Sequence, residues 1–236
     1  MKNKFSLVIP CYNEEKNLEF LIEKLKTINL SDCEIILVNN GSTDGTQIKL
    51  AQLKTLNKGL FEIVSLDRNI GYGNGIMHGV FHAKSEVIAW THADLQTDPL
   101  DVLNAYELFI SHPEFPKCIL KGKRIGRSLT DSFFTFGMSI ISSIFLKSFF
   151  SDVNAQPKMF HSVFLEKIST PPDDFSLDLY LLYQAKRNGF SIIEYPVFFH
   201  KRLHGQSKGG GSFKGKWKLI MRTFKYVLKL RKEVIH

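Results

Sequence analysis

Short apolar runs alternate with segments of helical periodicity through the first hundred residues of the chain. Four of these runs predict buried strands, at residues 5–10, 34–38, 61–66 and 87–90. Apolar positions at three- and four-residue spacing predict helices between them, over 14–28, over 46–56, and from a glycine-rich loop at 69–75 to about Lys84. Such alternation is typical of βαβ units, so we predict an α/β, Rossmann-like fold with a mostly parallel central sheet flanked by helices.

The pattern changes after Pro99. The elements predicted there are a helix to about Ser111, a strand at 118–120, an unusually apolar helix over 128–150, a helix over 176–187 and a strand at 192–197. The chain closes with a basic helix whose apolar residues share one face: Trp217, Ile220, Phe224, Val227 and Leu228. With neither an internal repeat nor a Pro/Ser-rich linker, we predict a single domain over 1–212 and a C-terminal basic amphipathic helix over 213–236.

The composition indicates a basic protein from a reducing compartment. The formal net charge of +8 favours anionic partners, such as phosphorylated ligands or an acidic membrane surface. No nucleic-acid-binding module is recognisable, so nucleic acid is not an expected partner. The three cysteines, Cys11, Cys33 and Cys118, form no CxxC pair, so neither a zinc site nor a disulfide framework is expected.

The apolar segments predict contact with a membrane surface rather than a membrane span. No signal-peptide apolar region follows the first residues, and the uncharged tract at 133–146 is short for a span. A basic helix with an aromatic-rich apolar face lies in the headgroup region, so we expect a cytoplasmic protein, peripheral at the inner face of the membrane. The alternative is a terminal helix packed on its own domain, and a homo-oligomer stays open.

A carboxylate follows the fourth predicted strand and suggests a metal site. Asp94 and Gln96 are two residues apart, so on an extended backbone they would point to the same side. Their oxygens suit a hard cation such as Mg or Mn, which would screen a diphosphate. His92 is open to three interpretations: a metal ligand, a base or a packed loop histidine. The alternative for the whole stretch is an ordinary helix start at Asp98-Pro99 without metal.

Two further polar loops follow the first and second predicted strands. The first contains Tyr12, Asn13 and Glu14, which could instead form a helix cap with Asn13 at the N-cap position. The second, at 39–45, could be a tight turn. Because both lie at the carboxyl ends of parallel strands, beside the Asp94 loop, we expect them to form a pocket. The glycines at 71–79 do not fit a dinucleotide-binding fingerprint, since Ile76 stands where its third glycine belongs.

Five segments, in order between residues 5 and 208, resemble motifs of family-two glycosyltransferases. Residues 8–15 (VIPCYNEE) resemble the family motif VIPxYNEE, and residues 38–46 (VNNGSTDGT) resemble VDDGSTDGT. Residues 69–75 (NIGYGNG) resemble NxGxGxA, residues 92–96 (HADLQ) resemble DADLQ, and residues 202–208 (RLHGQSK) resemble RxxGxSK. The DADLQ motif is that of the polyprenyl-phosphate sugar transferases, including dolichol-phosphate mannose synthases. The resemblance implies a GT-A fold and an inverting transfer of a sugar from a nucleotide diphosphate to a polyprenyl-phosphate or glycan acceptor, in the synthesis of cell-envelope polysaccharide or glycolipid.

The resemblance also implies roles for particular residues. The nucleotide sugar would be bound by Pro10, Tyr12, Asn13, Glu14, Asn39, Asn40, Ser42, Asn69, Gly71, Gly75, Ala93, Asp94 and Ser207. Asp94 with Gln96 would hold a divalent cation, Mg or Mn, and His92 is a further candidate ligand. Arg202 and Lys208 would stabilise the leaving diphosphate from a loop that closes over the donor. Asp178 would take a proton from a hydroxyl acceptor, and an already ionised lipid phosphate would make that base less necessary.

Three departures from the motifs leave a rival function open. Asn39 and Asn40 stand where the family usually has aspartates, and an amide has a less fixed base preference than a carboxylate. His92 replaces the first aspartate of the metal motif, which lowers the expected affinity for a hard cation. The rival is a non-catalytic module that binds nucleotide sugars on the same fold.

Overall fold

The computed structural model describes residues 4–29, 32–126, 150–200, 221, 224–228 and 230. Its strands are β1 (Phe5–Cys11), β2 (Cys33–Asn40), β3 (Glu62–Leu66), β4 (Val87–Trp90), β5 (Cys118–Ile125), β6 (Lys158–His161) and β7 (Ser191–Phe198). Its α-helices are α1 (Leu18–Leu25), α2 (Thr46–Leu56), α3 (Tyr72–His82), α4 (Asp101–Ile110) and α5 (Leu177–Arg187), with a 3₁₀ helix at Ser162–Lys167. Residues 224–228 are also helical.

All these strands form one sheet in the order β3-β2-β1-β4-β6-β5-β7. The pairs among β1 to β4 are parallel, whereas β6 is antiparallel to both β4 and β5, and β7 is parallel to β5. Every strand except β6 therefore ends at the same edge, which we call the carboxyl edge. The inverted strand β6 begins there, with Lys158 opposite Trp90 on one side and Lys121 on the other.

Alternate side chains of the parallel strands pack on opposite faces of the sheet, as the two-residue period of a strand requires. On β1, Leu7 and Ile9 belong to the core beneath α1 and α4, whereas Val8 belongs to the core beneath α3 and α5. Both faces are covered by helices, which explains why the strands read as continuous apolar runs. The predicted α/β sheet is thus confirmed, and the antiparallel strand β6 is an addition that periodicity did not indicate.

Several element boundaries differ from the predictions. Helix α1 begins at Leu18 rather than at residue 14, and Asn17 precedes it, so the interpretation of Asn13 as an N-cap is wrong. Asn13 instead adopts a positive φ of 57° in the loop after β1. The predicted glycine-rich loop is also partly wrong, because α3 begins at Tyr72 and includes Gly73 and Gly75.

The end of the chain packs, in part, on the domain. Val227 and Leu230 are buried in the same apolar cluster as α3 and α5. This favours the packed-helix alternative for that stretch, while Trp217 and Ile220 of the predicted apolar face lie outside the described residues. Most of the predicted apolar helix at 128–150 is also outside them. Within the described part of the chain, no helix has both the length and the hydropathy needed to cross a bilayer.

Candidate functional site

The loops after β1 and β2 are joined by hydrogen bonds at the carboxyl edge. The Asn13 side chain accepts a bond from the Thr43 backbone N–H at 2.8 Å and donates one to the Thr43 hydroxyl at 3.2 Å. The backbone N–H of Asn13 donates to the Ser42 hydroxyl at 3.1 Å, and that of Glu14 donates to the Thr46 hydroxyl at 2.9 Å. The predicted residues Asn13 and Ser42 therefore lie together, as the meeting of parallel strand ends requires.

Asn39 and Asn40 are the last two residues of β2, not loop residues, and both are buried. Asn39 accepts a bond from the Ser42 backbone N–H at 3.2 Å and donates from Nδ2 to the Gln47 side chain. Asn40 donates from Nδ2 to the carbonyl oxygen of Gly71 at 2.9 Å. Asn40 thus ties the end of β2 to the start of α3, which is a structural contact that the motif alone did not indicate.

The glycines of α3 allow close packing on both sides of the helix. A Cβ atom at Gly71 or Gly73 would lie 2.2 or 2.1 Å from a backbone oxygen of the 172–174 loop, and one at Gly75 would lie 2.5 Å from the Asn40 side chain. The Asn74 backbone N–H donates to the Asp173 carbonyl at 3.0 Å. The glycines therefore bring the loop before α5, and with it Asp178, against the first turn of α3.

Asp94 lies four residues after β4 at the same edge, and only 4% of its surface is exposed. The segment around it is a turn and not an extended strand, because Leu95 has a φ of 57°. Asp94 Oδ1 accepts a bond from the Gln96 backbone N–H at 3.1 Å, while Gln96 Nε2 donates to the His200 carbonyl at 3.3 Å. The predicted extended geometry is therefore wrong, and the Gln96 side chain is directed to the end of β7.

A buried network surrounds Asp178, the second residue of α5. Tyr72 donates from its hydroxyl to Asp178 Oδ2 at 3.4 Å, and Gln156 donates from Nε2 to Asp178 Oδ1 at 3.2 Å and to the Tyr72 hydroxyl at 3.0 Å. Asp178 has 1% of its surface exposed and Gln156 has 2%. Burial, followed by the charge of Asp178, raises the pKa of Tyr72 well above its usual value, so the phenol stays protonated and able to donate.

Lys158 completes this network from the start of β6. Its side chain is fully buried, and Nζ lies 3.2 Å from Asp178 Oδ1. Nζ also donates to the carbonyl oxygens of Val153 at 2.8 Å and Ala155 at 2.7 Å. Burial lowers the pKa of Lys158 to about 8, and the charge of Asp178 opposes that shift.

His92 contacts Tyr72, the residue that donates to Asp178. Its Nε2 lies 3.2 Å from the Tyr72 hydroxyl, and the two rings meet edge to face with centroids 5.8 Å apart. Burial lowers the pKa of His92, although the charges of Asp94 and Asp178 both act to raise it. The lowered pKa favours the neutral imidazole at pH 7.

The described residues fit a cation that a diphosphate helps to hold. No group of three His, Cys, Asp or Glu side chains gathers into a metal cage in the described ranges. Mg²⁺ commonly binds through one or two carboxylates, several waters and substrate phosphates, and this mode needs only Asp94 from the protein. His92 is a weaker candidate, because one of its ring nitrogens already contacts Tyr72.

Some of the remaining predicted residues lie near the carboxyl edge, and the others lie outside the described residues. Pro10, Tyr12, Asn69, Gly75 and Ala93 lie in or beside the strand ends and loops already described. Arg202, Ser207 and Lys208 lie outside the described residues, so their predicted roles stay predictions.

Sequence reasoning missed three residues of the network: Tyr72, Gln156 and Lys158. The available signal was Lys158 itself, a cation inside the apolar run Pro157-Lys158-Met159-Phe160. A lysine is almost never fully buried unless it is paired, so a lysine at this position predicts a carboxylate partner.

Comparisons with known proteins agree with this arrangement. A family model described as Glycosyl transferase family 2 matches residues 6–137. The dodecaprenyl-phosphate galacturonate synthase of Rhizobium johnstonii is 34% identical over 102 residues, which are 42% of this chain and 30% of that protein. The undecaprenyl-phosphate 4-deoxy-4-formamido-L-arabinose transferase of Proteus mirabilis is 34% identical over 103 residues, which are 42% of this chain and 32% of that protein. These alignments thus span about a third of each curated relative.

A solved structure shares the fold over nearly the whole chain. The glucosyl-3-phosphoglycerate synthase of Mycobacterium tuberculosis, in complex with Mn²⁺, UDP and glucosyl-3-phosphoglycerate, superposes with a TM-score of 0.72 at 15% identity. The match covers 97% of this chain and 80% of that one. At this identity the likeness establishes the fold and leaves the chemistry to the residues of the site.

Proposed function

The chain belongs to glycosyl transferase family 2 and has a GT-A fold, and we propose that it transfers a sugar from a nucleotide diphosphate sugar to an acceptor, with inversion at the anomeric carbon. One observation supports this proposal most: the Tyr72 hydroxyl contacts both Asp178 Oδ2, at 3.4 Å, and His92 Nε2, at 3.2 Å, so Asp178 lies beside the loop of buried Asp94 at the carboxyl edge. Open α/β sheets bind their ligands at that edge. In the transfer, the acceptor oxygen bonds to the anomeric carbon as the bond to the diphosphate breaks.

The donor would lie over the loops after β1, β2 and β4. The hydrogen-bonded loops of Asn13 and Ser42 would border the base and ribose, together with Asn39, which accepts a hydrogen bond from the Ser42 backbone. Asp94 would hold a divalent cation on the diphosphate, where the cation stabilises the charge of the leaving group. The Mn²⁺ in the complex of the M. tuberculosis enzyme supports a divalent cation for this chain.

The acceptor would approach from the side of α5 and β6. The two curated relatives are named for the dodecaprenyl and undecaprenyl phosphates that they use, which supports a polyprenyl phosphate here, with a glycan as the second candidate. Buried Asp178 accepts hydrogen bonds from Tyr72 and Gln156 and pairs with Lys158, which also supports a phosphate, because a carboxylate so engaged is a poor base for a hydroxyl.

The rival proposal is a module that binds nucleotide sugars without transfer. Its specific support is His92, which is neutral and contacts Tyr72 where the family motif has a metal-binding aspartate. Asp94 and the ordered network around Asp178 favour the enzyme. Formation of a sugar-linked product from a nucleotide sugar and Mn²⁺ separates the two proposals, since only the enzyme makes a new glycosidic bond.

A polyprenyl acceptor implies contact with an anionic membrane surface at the cytoplasmic face. The formal net charge of +8 supports this contact, since each cation near an acidic surface contributes about 1 kcal/mol. We expect binding to vesicles to rise with their content of acidic lipid and to fall with salt. A chain that stays unbound on acidic vesicles at low salt would argue against the contact.

A further inference from the structure

Lys158 has no role in the motifs of the chain, yet it is among the most completely buried of the charged residues described. Its Nζ donates to the carbonyl oxygens of Val153 and Ala155 and forms an ion pair with Asp178 Oδ1 at 3.2 Å. A buried ammonium is costly unless it is paired and hydrogen-bonded, and Lys158 has both kinds of partner. Lys158 therefore joins the segment before β6 to the first turn of α5.

The neighbouring cations have carboxylate partners of their own. On β5, Lys121 lies 2.9 Å and Lys123 lies 2.8 Å from Glu194 of β7. Arg124 binds Asp152 through its side chain and its backbone N–H. Among the described residues that face Asp178, the others are the neutral groups of Tyr72, Gln156 and His92. Lys158 is thus the cation that balances Asp178.

We propose that Lys158 is a positioning residue that neutralises Asp178, so that a phosphate acceptor can bind next to α5 without repulsion. A bare carboxylate in this buried setting would repel both the diphosphate of the donor and the phosphate of the acceptor. With Lys158 in place, the pair is neutral and the carboxylate is fixed between Tyr72 and Gln156. This proposal rests on the proposed function and assigns its acceptor side to a phosphate rather than to a hydroxyl.

Binding of farnesyl phosphate, measured by titration calorimetry with Mn²⁺ present, tests the proposal without any transfer. Lys158→Met removes the charge and keeps most of the volume of the side chain, and we expect affinity to fall by about tenfold. Farnesol, the uncharged alcohol, should bind both proteins equally. The double variant Lys158→Met/Asp178→Asn removes both charges, and its affinity for farnesyl phosphate should return to within about threefold of the original.

Two matched variants separate charge from packing. Asp178→Asn leaves Lys158 as an unbalanced cation, so farnesyl phosphate should bind more tightly, by about tenfold. Asp178→Asn also tests the proposal if Lys158→Met does not fold. Lys121→Met makes the same substitution at another buried lysine, but Glu194 keeps Lys123 as a partner, so affinity should change much less.

Five results would overturn the proposal. They are an original protein that does not bind farnesyl phosphate, a Lys158→Met variant that binds it as tightly as the original, an equal loss for farnesol, a double variant with no recovery, and an Asp178→Asn variant that binds no more tightly than the original. An equal loss for farnesol would mean that Lys158 only supports packing. The proposed function fails separately, through the absence of sugar transfer in a protein that still binds the phosphate.

Discussion

Asn39 and Asn40 are adjacent in the sequence but have different hydrogen-bond partners in the structure. The Asn40 amide donates to the carbonyl of Gly71, and no rotation of a carboxylate would restore that donor. The Asn39 amide donates to Gln47, an exposed side chain whose own amide can turn and donate instead. In this chain an aspartate would therefore be accommodated at position 39, whereas at position 40 it would lose the hydrogen bond to Gly71.

Substitution of each asparagine by aspartate tests this distinction at the scale of a single residue. Asn40→Asp should lower the free energy of unfolding by about 1–3 kcal/mol, because it buries a carboxylate and removes the side-chain donor to the Gly71 carbonyl. Asn39→Asp should change stability by less than about 1 kcal/mol. Urea denaturation of both variants checks the prediction, and equal losses would show that Asn40 is not the structural contact inferred here.

At the scale of an element, helix α3 is shaped by the backbone that packs against it. Gly73 lies under the loop before α5, where a Cβ would meet the Pro172 oxygen at 2.1 Å, and Gly79 faces the side chain of Val8 on the sheet. A backbone oxygen cannot rotate away as a side chain can. The packing of the first turn of α3 therefore determines the position of the 172–174 loop, and thereby the position of Asp178 in the first turn of α5.

Gly73→Ala tests this dependence, with Gly79→Ala as the matched control. We expect Gly73→Ala to cost about 1–3 kcal/mol of stability through overpacking and, in addition, to lower the rate of transfer in the protein that stays folded. Gly79→Ala should cost stability without that added loss of rate, since it contacts β1 and β2 rather than the 172–174 loop. Equal rate losses in the two variants would contradict the assigned role of Gly73.

The sequence predicted local features better than contacts between distant segments. Strands β1 to β4 and helix α2 were confirmed because an apolar run or a helical period is a local pattern. The ion pair of Lys158 and Asp178 joins residues 20 positions apart through an antiparallel strand that has only four residues, which is too short for a clear period. The turn at Asp94 was missed because it depends on a positive φ at Leu95, a conformation that is uncommon for a residue other than glycine.

At the scale of the whole molecule, one inverted strand brings two halves of the site together. The parallel strands β1, β2 and β4 bring the donor loops to the carboxyl edge, and β6 begins at that edge with Lys158. Helix α5 then presents Asp178 to the same space. A sheet with β6 parallel would place Lys158 at the opposite edge, away from Asp94 and His92.

The most direct test of the account is sugar transfer to farnesyl phosphate in acidic vesicles, with Mn²⁺ and a panel of UDP-, GDP-, CDP- and TDP-sugars, read by mass spectrometry. We expect a sugar-linked product with at least one donor, lost on chelation and reduced about a hundredfold in Asp94→Ala. Asp98→Ala, in the same loop but paired with Lys24, should retain transfer. Absence of product with every donor would contradict transfer to a lipid phosphate, and full activity in Asp94→Ala or with a chelator would contradict metal-assisted transfer at this edge.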